Sequence, residues 1–408
     1  VMTAYRVLAG VGAAMIMPAT LSTLTSVFPD EERGRAVGIW AGFAGAGGVL
    51  GLFSSSILLD YASWQWLFAV PIGAAVVALG ATLAIVPDTR SAETHRLDIV
   101  GGLLSALAVG GIVLGVHEGP EIGWTAPLTL VGLAGGAAAL VAYVSWSLRQ
   151  EHPLLDVRMF RNRRLAAGTF SLLVLFALIF GVFLVVIQYL QAVLGYSAVR
   201  SSAGLLPMAA MMMGLSPVAP QISERIGFSR ILALGSVLLT GGFVWLALAT
   251  DPSYFSVLPG LVILGAGVGL AMSPATTAIT DSLPAEKQGV ASALNDTVRE
   301  FGSALGVALI GSILSAGYRS DITSTTDARP EELAEPVGEG IGQAIAVASQ
   351  LGAEGDAIGA AARDAFLNGW SLAMVVAAVT AAIAGGMTAA MFRGQSSEVD
   401  APDLALAA

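Results

Sequence analysis

RVLAGVGAAMIMPATLSTLTSVFPDEERGRAVGIWAGFAGAGGVLG (Arg6–Gly51) holds two glycine-rich, nearly uncharged apolar runs joined by the charged turn Pro29–Arg35. Each run is long enough to cross a bilayer core, which takes about 20 helical residues. The stretch also recurs. Displaced by 255 positions, Gly10, Gly12, Pro29, Glu31, Gly34, Ala36, Gly47 and Gly51 meet Gly265, Gly267, Pro284, Glu286, Gly289, Ala291, Gly302 and Gly306. With 49 glycines in 408 residues, chance gives roughly 0.6 glycine coincidences over the aligned stretch. Five are present, and Pro18-Ala19-Thr20 returns as Pro274-Ala275-Thr276, one residue out of step. The chain therefore contains two related halves read in the same direction.

Working outward, the composition is that of a membrane protein. Apolar residues make up 55% and charged residues 12%, against about 25% charged in a typical soluble domain. Long apolar runs without alternation are helices rather than barrel strands. This predicts an all-α integral membrane protein with eleven spans, near 4–28, 36–58, 65–86, 99–117, 125–148, 165–190, 202–222, 231–250, 255–280, 288–316 and 366–392. The net charge of −10 does not argue for a nucleic-acid partner, because the acids gather mostly in one polar loop. There is no cysteine, which excludes disulfides and thiolate metal sites. His95, His117 and His152 fall in predicted loops without metal-ligand spacing. No nucleophile–base set is present, so neither an enzyme, a cofactor nor a metal centre is expected.

Lys and Arg counts orient the chain. With the Pro29–Arg35 turn in the cytoplasm, the inside receives Arg33, Arg35, Arg90, Arg96, Arg149, Arg158, Arg161, Arg163, Arg164, Arg225, Arg230, Lys287 and Arg393. The outside receives only Arg200, Arg319, Arg329 and Arg363. The acidic segment 317–365 is then extracytoplasmic, and 149–164 and 393–408 are cytoplasmic. The N-terminus falls outside, from which missing upstream spans are expected.

At this point the motifs resemble a known family. Arg6 with AGVGAAMIMPATLS, then FPDEERGRAVGIWAG, SWQWLF and PIG, resembles the middle of the N-terminal half of a major facilitator superfamily transporter. The likeness is strongest to its 14-span drug:proton antiporters. LLPMAAMMMGLSPVAPQISERIG resembles the second helix of their C-terminal half, and GVASALNDTVREFGSALGVAL the fifth. The resemblance implies a major facilitator fold lacking the first three of fourteen spans. Residues 1–86 would be the remnant of the N-terminal bundle and 87–148 a linker with the inserted two-span pair. Residues 149–164 would be a basic link, 165–392 the six-span C-terminal bundle with its loop 317–365, and 393–408 a tail. It further implies a multi-pass protein of the inner or plasma membrane that exports small hydrophobic or amphipathic compounds against protons. A transport-incompetent or sensor-like protein of the same fold is the alternative, and a solute uptake facilitator the less favoured one. One departure weakens the antiport reading. Where the family's fifth-span motif has Gly-x-x-x-Gly-Pro-x-x-Gly-Gly, this chain keeps Gly47 and Gly51 but has Leu52, Ser55 and Ser56, so the helix loses a kink.

Charged residues inside spans carry the most information, because lipid makes them costly. Asp296, Arg299 and Glu300 lie roughly 10 to 17 Å into their helix. Two carboxylates around one guanidinium are candidates for proton coupling, or for an internally neutralised structural cluster. Arg6 matches the family's coupling arginine, and equally an arginine snorkelling to headgroups. Gln188, Tyr189 and Gln191 at one helix end, with Pro207 and Met211 on a methionine-rich surface, are candidates for a substrate path or ordinary interface residues. Gly47/Gly51 and Gly302/Gly306 are small-xxx-small pairs, explained by packing alone. Such faces also suit helices that rock during alternating access.

Overall fold

The computed structural model describes residues 2–86, 98–151, 153–249, 251–284, 287–326 and 331–392, and their side chains apart from 2–7, 30, 120–121, 324, 326, 331–332 and 353–354. The described residues are all helix and connecting turn. The first three helices are α1 (Met2–Val27), α2 (Asp30–Tyr61) and α3 (Trp66–Ile85). A pair follows, α4 (Ile99–Ile122) and α5 (Pro127–Ser147). After the 3-10 turn Val157–Arg161 comes α6 (Arg163–Gln188), which ends in one π turn, Tyr189–Val193. The next span is divided into α7 (Ala198–Ala203), α8 (Leu206–Leu215) and α9 (Ala219–Ile226), because Pro207, Pro217 and Pro220 interrupt its backbone ladder. Then come α10 (Phe228–Leu248), α11 (Tyr254–Asp281), α12 (Gln288–Thr326), α13 (Glu331–Glu339), α14 (Ile341–Ala348) and α15 (Ala353–Met391). Ten of the described helices, and α7 with α8 taken together as Ala198–Leu215, make eleven spans long and apolar enough to cross a membrane. This matches the number of spans expected from the sequence.

In lipid, helix association depends on close packing more than on hydrophobic burial, so small residues mark the contacts. Helices α6, α8, α10, α11, α12 and α15 share one buried core, with Trp370, Tyr189, Phe243 and Phe366 its largest side chains. Gly306 of α12 lies directly on the backbone of Ala177 in α6, and a Cβ on Gly181 would meet the Gly306 carbonyl oxygen at 2.9 Å. The three glycines of GAGVGL divide their work. Gly265 and Gly269 admit α8, and Gly267 admits Gly235 of α10. The pair α4 and α5 is closed by Gly111 and Gly115 against Gly132 and Gly136, where any Cβ would come within about 3 Å of the facing backbone. Helix α4 in turn packs on α12, and α1 also meets α12. Helix α3 packs on α2 and buries none of its own residues.

Two expectations need correction. The segment 317–365, read as a polar loop, is largely helical where described. Leu314, Tyr318 and Ile322 are buried at four-residue spacing, so the apolar stripe of α12 simply continues. With 39 residues, α12 is roughly 58 Å long, about twice a hydrocarbon core. Tyr318 donates to the Val337 carbonyl at 2.8 Å, and Gly317 packs on Gly369 where α12 crosses α15. The second correction concerns Gly47 and Gly51. Among the described residues, nothing lies within 4 Å of either Cβ position, whereas Gly302 and Gly306 are tightly packed. Helix α2 docks instead through Gly38, Gly42 and Gly45, which meet Ser216, Pro217, Met212 and Met272 of α8, its C-terminal turn and α11. It runs unbroken through Leu52, as the missing proline implies.

Candidate functional site

One face of α12 is polar in an otherwise apolar helix. Gln288, Ser292, Asn295, Asp296, Arg299 and Ser303 all fall within an arc of roughly 100° at 3.6 residues per turn. At its start, Gln288 Nε2 donates to the carbonyls of Thr280 and Leu283, both at 3.0 Å, which ties α12 to the end of α11. Eleven residues on, Arg299 is 6% exposed and donates to Asp296 Oδ1 at 3.4 Å. Its guanidinium carbon lies 4.6 Å from the Phe176 ring of α6 and 5.2 Å from the Trp40 ring of α2. Planar, weakly hydrated arginine suits such a place, because ring faces replace water above and below while the edge meets the carboxylate. Trp40 Nε1 then donates to Thr20 Oγ1 of α1 at 3.1 Å. Three helices, α2, α6 and α12, thus meet at one guanidinium, and α1 is tied to it through Trp40.

Asp296 is the acid of this site, 13% exposed, with Asn295 Nδ2 donating to its Oδ1 at 3.5 Å. Its other oxygen, Oδ2, is buried with no partner among the described residues. Glu300 is exposed and joins neither the pair nor the stack. The two expected carboxylates therefore do not share one setting. At 100° per residue, Glu300 lies at the edge of the polar arc and turns outward.

Two openings lie beyond the pair, one reached through Trp40 and the other at Gln288, the start of the polar face. An apolar groove of about 790 Å³ lies between α1 and α2, lined by Met17, Thr20, Leu24, Ile39, Trp40 and Phe43, with Glu32 and Arg35 at its charged end. Its size is in the range of small-molecule pockets. A polar cavity of about 560 Å³ lies at the arginine-rich end, among Arg33, Arg164, Ser223, Glu224, Thr277, Thr280, Asp281 and Gln288. Arg164 pairs there with Asp281 at 3.7 Å and lies over the Phe228 ring at 5.3 Å.

The other expected site residues lie elsewhere. Tyr189 is fully buried, 4.8 Å ring to ring from Trp370, and donates to the Asp251 carbonyl at 3.3 Å, which makes it a core residue. Gln188 is half-buried beside it and Gln191 is exposed. Pro207 opens α8, and Met211 packs on Gly265 of α11 with its Cβ 3.0 Å from the added-Cβ position. Met208 and Met212 face the core. Arg6 is in α1, with its side chain outside the described residues. His117 lies in α4, not in a loop, whereas His95 and His152 are outside the described residues. Trp40 and Phe176 had no distinguishing signal of their own. A tryptophan ten residues into a span is unremarkable until its partner is known.

Outside the membrane spans, Asp98 caps α4 and holds the following pair. It accepts from Gly101 N at 2.8 Å, from Trp146 Nε1 at 3.0 Å and from Leu154 N at 3.1 Å. Burial alone would push its carboxyl up, but those three donors outweigh it and hold the group below the usual aspartate range.

The sequence family described as Major Facilitator Superfamily matches residues 1–307. The multidrug resistance protein Stp of Mycobacterium tuberculosis is 34% identical over 319 residues, covering 78% of this chain and 59% of its own length. The tetracenomycin C resistance and export protein of Streptomyces glaucescens is 33% identical, covering 76% and 58%. The multidrug efflux pump LfrA of Mycolicibacterium smegmatis is 30% identical over 399 residues, covering 95% and 77%. The chain thus spans about three fifths of the length of the first two relatives. With eleven apolar spans and a family match over three quarters of its residues, this multi-pass membrane protein belongs to the major facilitator superfamily.

Proposed function

We propose that this protein exports hydrophobic or amphipathic compounds in exchange for protons, with Asp296 as the proton carrier and Arg299 as its fixed counter-charge. The observation that carries the reading is the buried Asp296–Arg299 pair with one carboxylate oxygen left over. A buried carboxylate that cannot satisfy both oxygens gains from taking a proton, and loses part of its hold on the guanidinium when it does. Trp40 lies between that pair and the apolar groove. A ligand pressing on the indole therefore acts on the guanidinium behind it. Export as the direction of transport is supported by the names of the relatives, which include a multidrug efflux pump and an antibiotic export protein. In this reading the arginine-rich end faces the cytoplasm.

The test separates coupling from binding. In vesicles holding the purified protein, a fluorescent amphipathic substrate is followed under an imposed pH gradient, and separately in gradient-free exchange. Asp296→Asn is expected to abolish gradient-driven accumulation while leaving exchange within about threefold of the parent, because only the proton-bearing step is removed. Glu300→Gln is expected to leave both intact. Gradient-driven accumulation by Asp296→Asn at the parent rate would show that the pair is structural.

A further inference from the structure

Between the Asp296–Arg299 pair and the polar cavity, the same face of α12 carries Asn295, Ser292 and Gln288. Each holds a buried atom without a partner among the described residues: Asp296 Oδ2, Asn295 Oδ1, Ser292 Oγ and Gln288 Oε1. Asn295 and Ser292 are 0% exposed. Helix α11 also carries buried hydroxyls without a partner among the described residues, Ser273 Oγ, Thr276 Oγ1 and Thr277 Oγ1. Of these, Thr277 lines the cavity together with Thr280 and Gln288, and Gln288 donates to the Thr280 carbonyl.

Hydroxyls in apolar helices usually satisfy themselves on a carbonyl three or four residues back. Thr280, Ser282 and Ser303 do so here, at 3.1, 2.6 and 2.8 Å. Ser273, Thr276, Thr277 and Ser292 do not. Those hydroxyls have no partner among the described residues, at a cost in free energy that a dry interior does not return. Water can return it, since a buried water typically makes about three hydrogen bonds and needs several polar partners around it.

We propose that this face is a hydrated proton path running from the polar cavity to Asp296, lined by Gln288, Ser292 and Asn295 on α12, with Thr277 of α11 at its mouth. It rests on the reading of Asp296 as the proton carrier and adds the route by which that proton leaves. From Asp296 to Gln288 is roughly 12 Å along the helix, a span of about four waters at ordinary hydrogen-bond spacing. The O–H bond of the Asp296 carboxylic acid breaks, the first water gains that proton, and each water passes one on. One hydronium enters the cavity and one carboxylate stays beside Arg299. Hydroxyls and amides suit such a path because they donate and accept, and none of the lining side chains competes for the proton.

The parent chain has no cysteine, so single cysteines at Ser292 and Asn295 report access directly. Gln288→Cys marks the cavity mouth, and Val298→Cys, buried but off the polar arc, marks a dry position. The probe is a membrane-impermeant cationic methanethiosulfonate, added to either face of sealed vesicles. Since a thiol reacts only as a hydrated thiolate, Ser292→Cys and Asn295→Cys are expected to react from the arginine-rich face within about tenfold of Gln288→Cys, and Val298→Cys on the order of tenfold slower again. No reaction at Ser292→Cys, or reaction from the opposite face only, would overturn the path. Ser292→Ala, which removes only the hydroxyl, gives a second reading. It is expected to slow gradient-driven proton flux about tenfold with exchange unchanged, since it removes one member of the hydrogen-bonded row. Unchanged flux in Ser292→Ala would overturn the route yet leave Asp296 as carrier. Hydrated cysteines with an active Asp296→Asn would instead remove the carrier and leave the water.

Discussion

Replacing Arg299 by alanine strands the Asp296 carboxylate at 13% exposure and removes a cation from between two aromatic rings. Breaking a buried pair by deleting one partner costs about 3–5 kcal/mol. Each ring contact contributes about 0.5–2 kcal/mol when shielded from water, and the terms overlap because one side chain makes them all. A loss of about 4 kcal/mol, roughly a thousandfold in the folding equilibrium, is therefore expected. Arg299→Lys keeps the charge but not the flat stack or the forked donor, and should lose about 1–2 kcal/mol. The double variant Asp296→Asn, Arg299→Met removes both charges and preserves most of the volume. It should lie within about 1 kcal/mol of the parent, because neither charge is then buried alone. Reversible unfolding in mixed micelles, followed by tryptophan fluorescence, measures all four proteins, and the singles Asp296→Asn and Arg299→Met close the double-mutant cycle. The reasoning fails if Arg299→Ala is as stable as the parent within about 0.5 kcal/mol, or if the double variant is as unstable as the single one.

Asp98 should show its contribution through pH. Its folded pKa is depressed, so it stabilises above the unfolded value near 3.9, and that stability is lost as pH falls through the folded value. Asp98→Asn should therefore be less stable than the parent at pH 7, with the gap closing as pH falls from the unfolded value through the lower folded one; a gap independent of pH would mean the charge is immaterial. Gly306→Ala should destabilise by about 1–3 kcal/mol, because the Ala177 backbone already fills the space, whereas Gly51→Ala should be neutral or gain up to about 1 kcal/mol from helix propensity. Thermal stability of the two purified variants checks this, and equal losses would mean that the α6–α12 contact is wrongly placed.

The eleven spans were legible because a bilayer demands length and apolarity, which are local properties of the chain. The buried arginine and its acid were legible for the same reason, since charge in a span needs a partner. The difference in burial between Glu300 and Asp296 was not legible, because sequence spacing gives only an angle around the helix. Whether a residue at the margin of an arc turns in or out depends on what lies beyond it. The extension of α12 was present as Leu314, Tyr318 and Ile322, but the acidic residues around it outweighed three apolar ones four apart. The α4–α5 contact was also written out, as Gly111-x-x-x-Gly115 and Gly132-x-x-x-Gly136. Only the structure pairs the two motifs.

Helix α2 shows why the glycine motif alone could not assign a contact. Taking Gly34 as origin and about 100° per residue, Gly38, Gly42 and Gly45 lie within an arc of roughly 80°, while Trp40, Gly47 and Gly51 lie near 220–260° on the other side. Both sides are rich in small residues, and both read as packing faces. The choice between them is made by Ser216, Met212 and Met272, more than 160 residues away, which seat α8 and α11 on the first face. That choice turns Trp40 toward Arg299 and leaves Gly47 and Gly51 without a close neighbour among the described residues. The same helix is thus fixed on one side by backbone-close contacts and, on the other, shares the α1–α2 groove and touches the ion pair through a single indole.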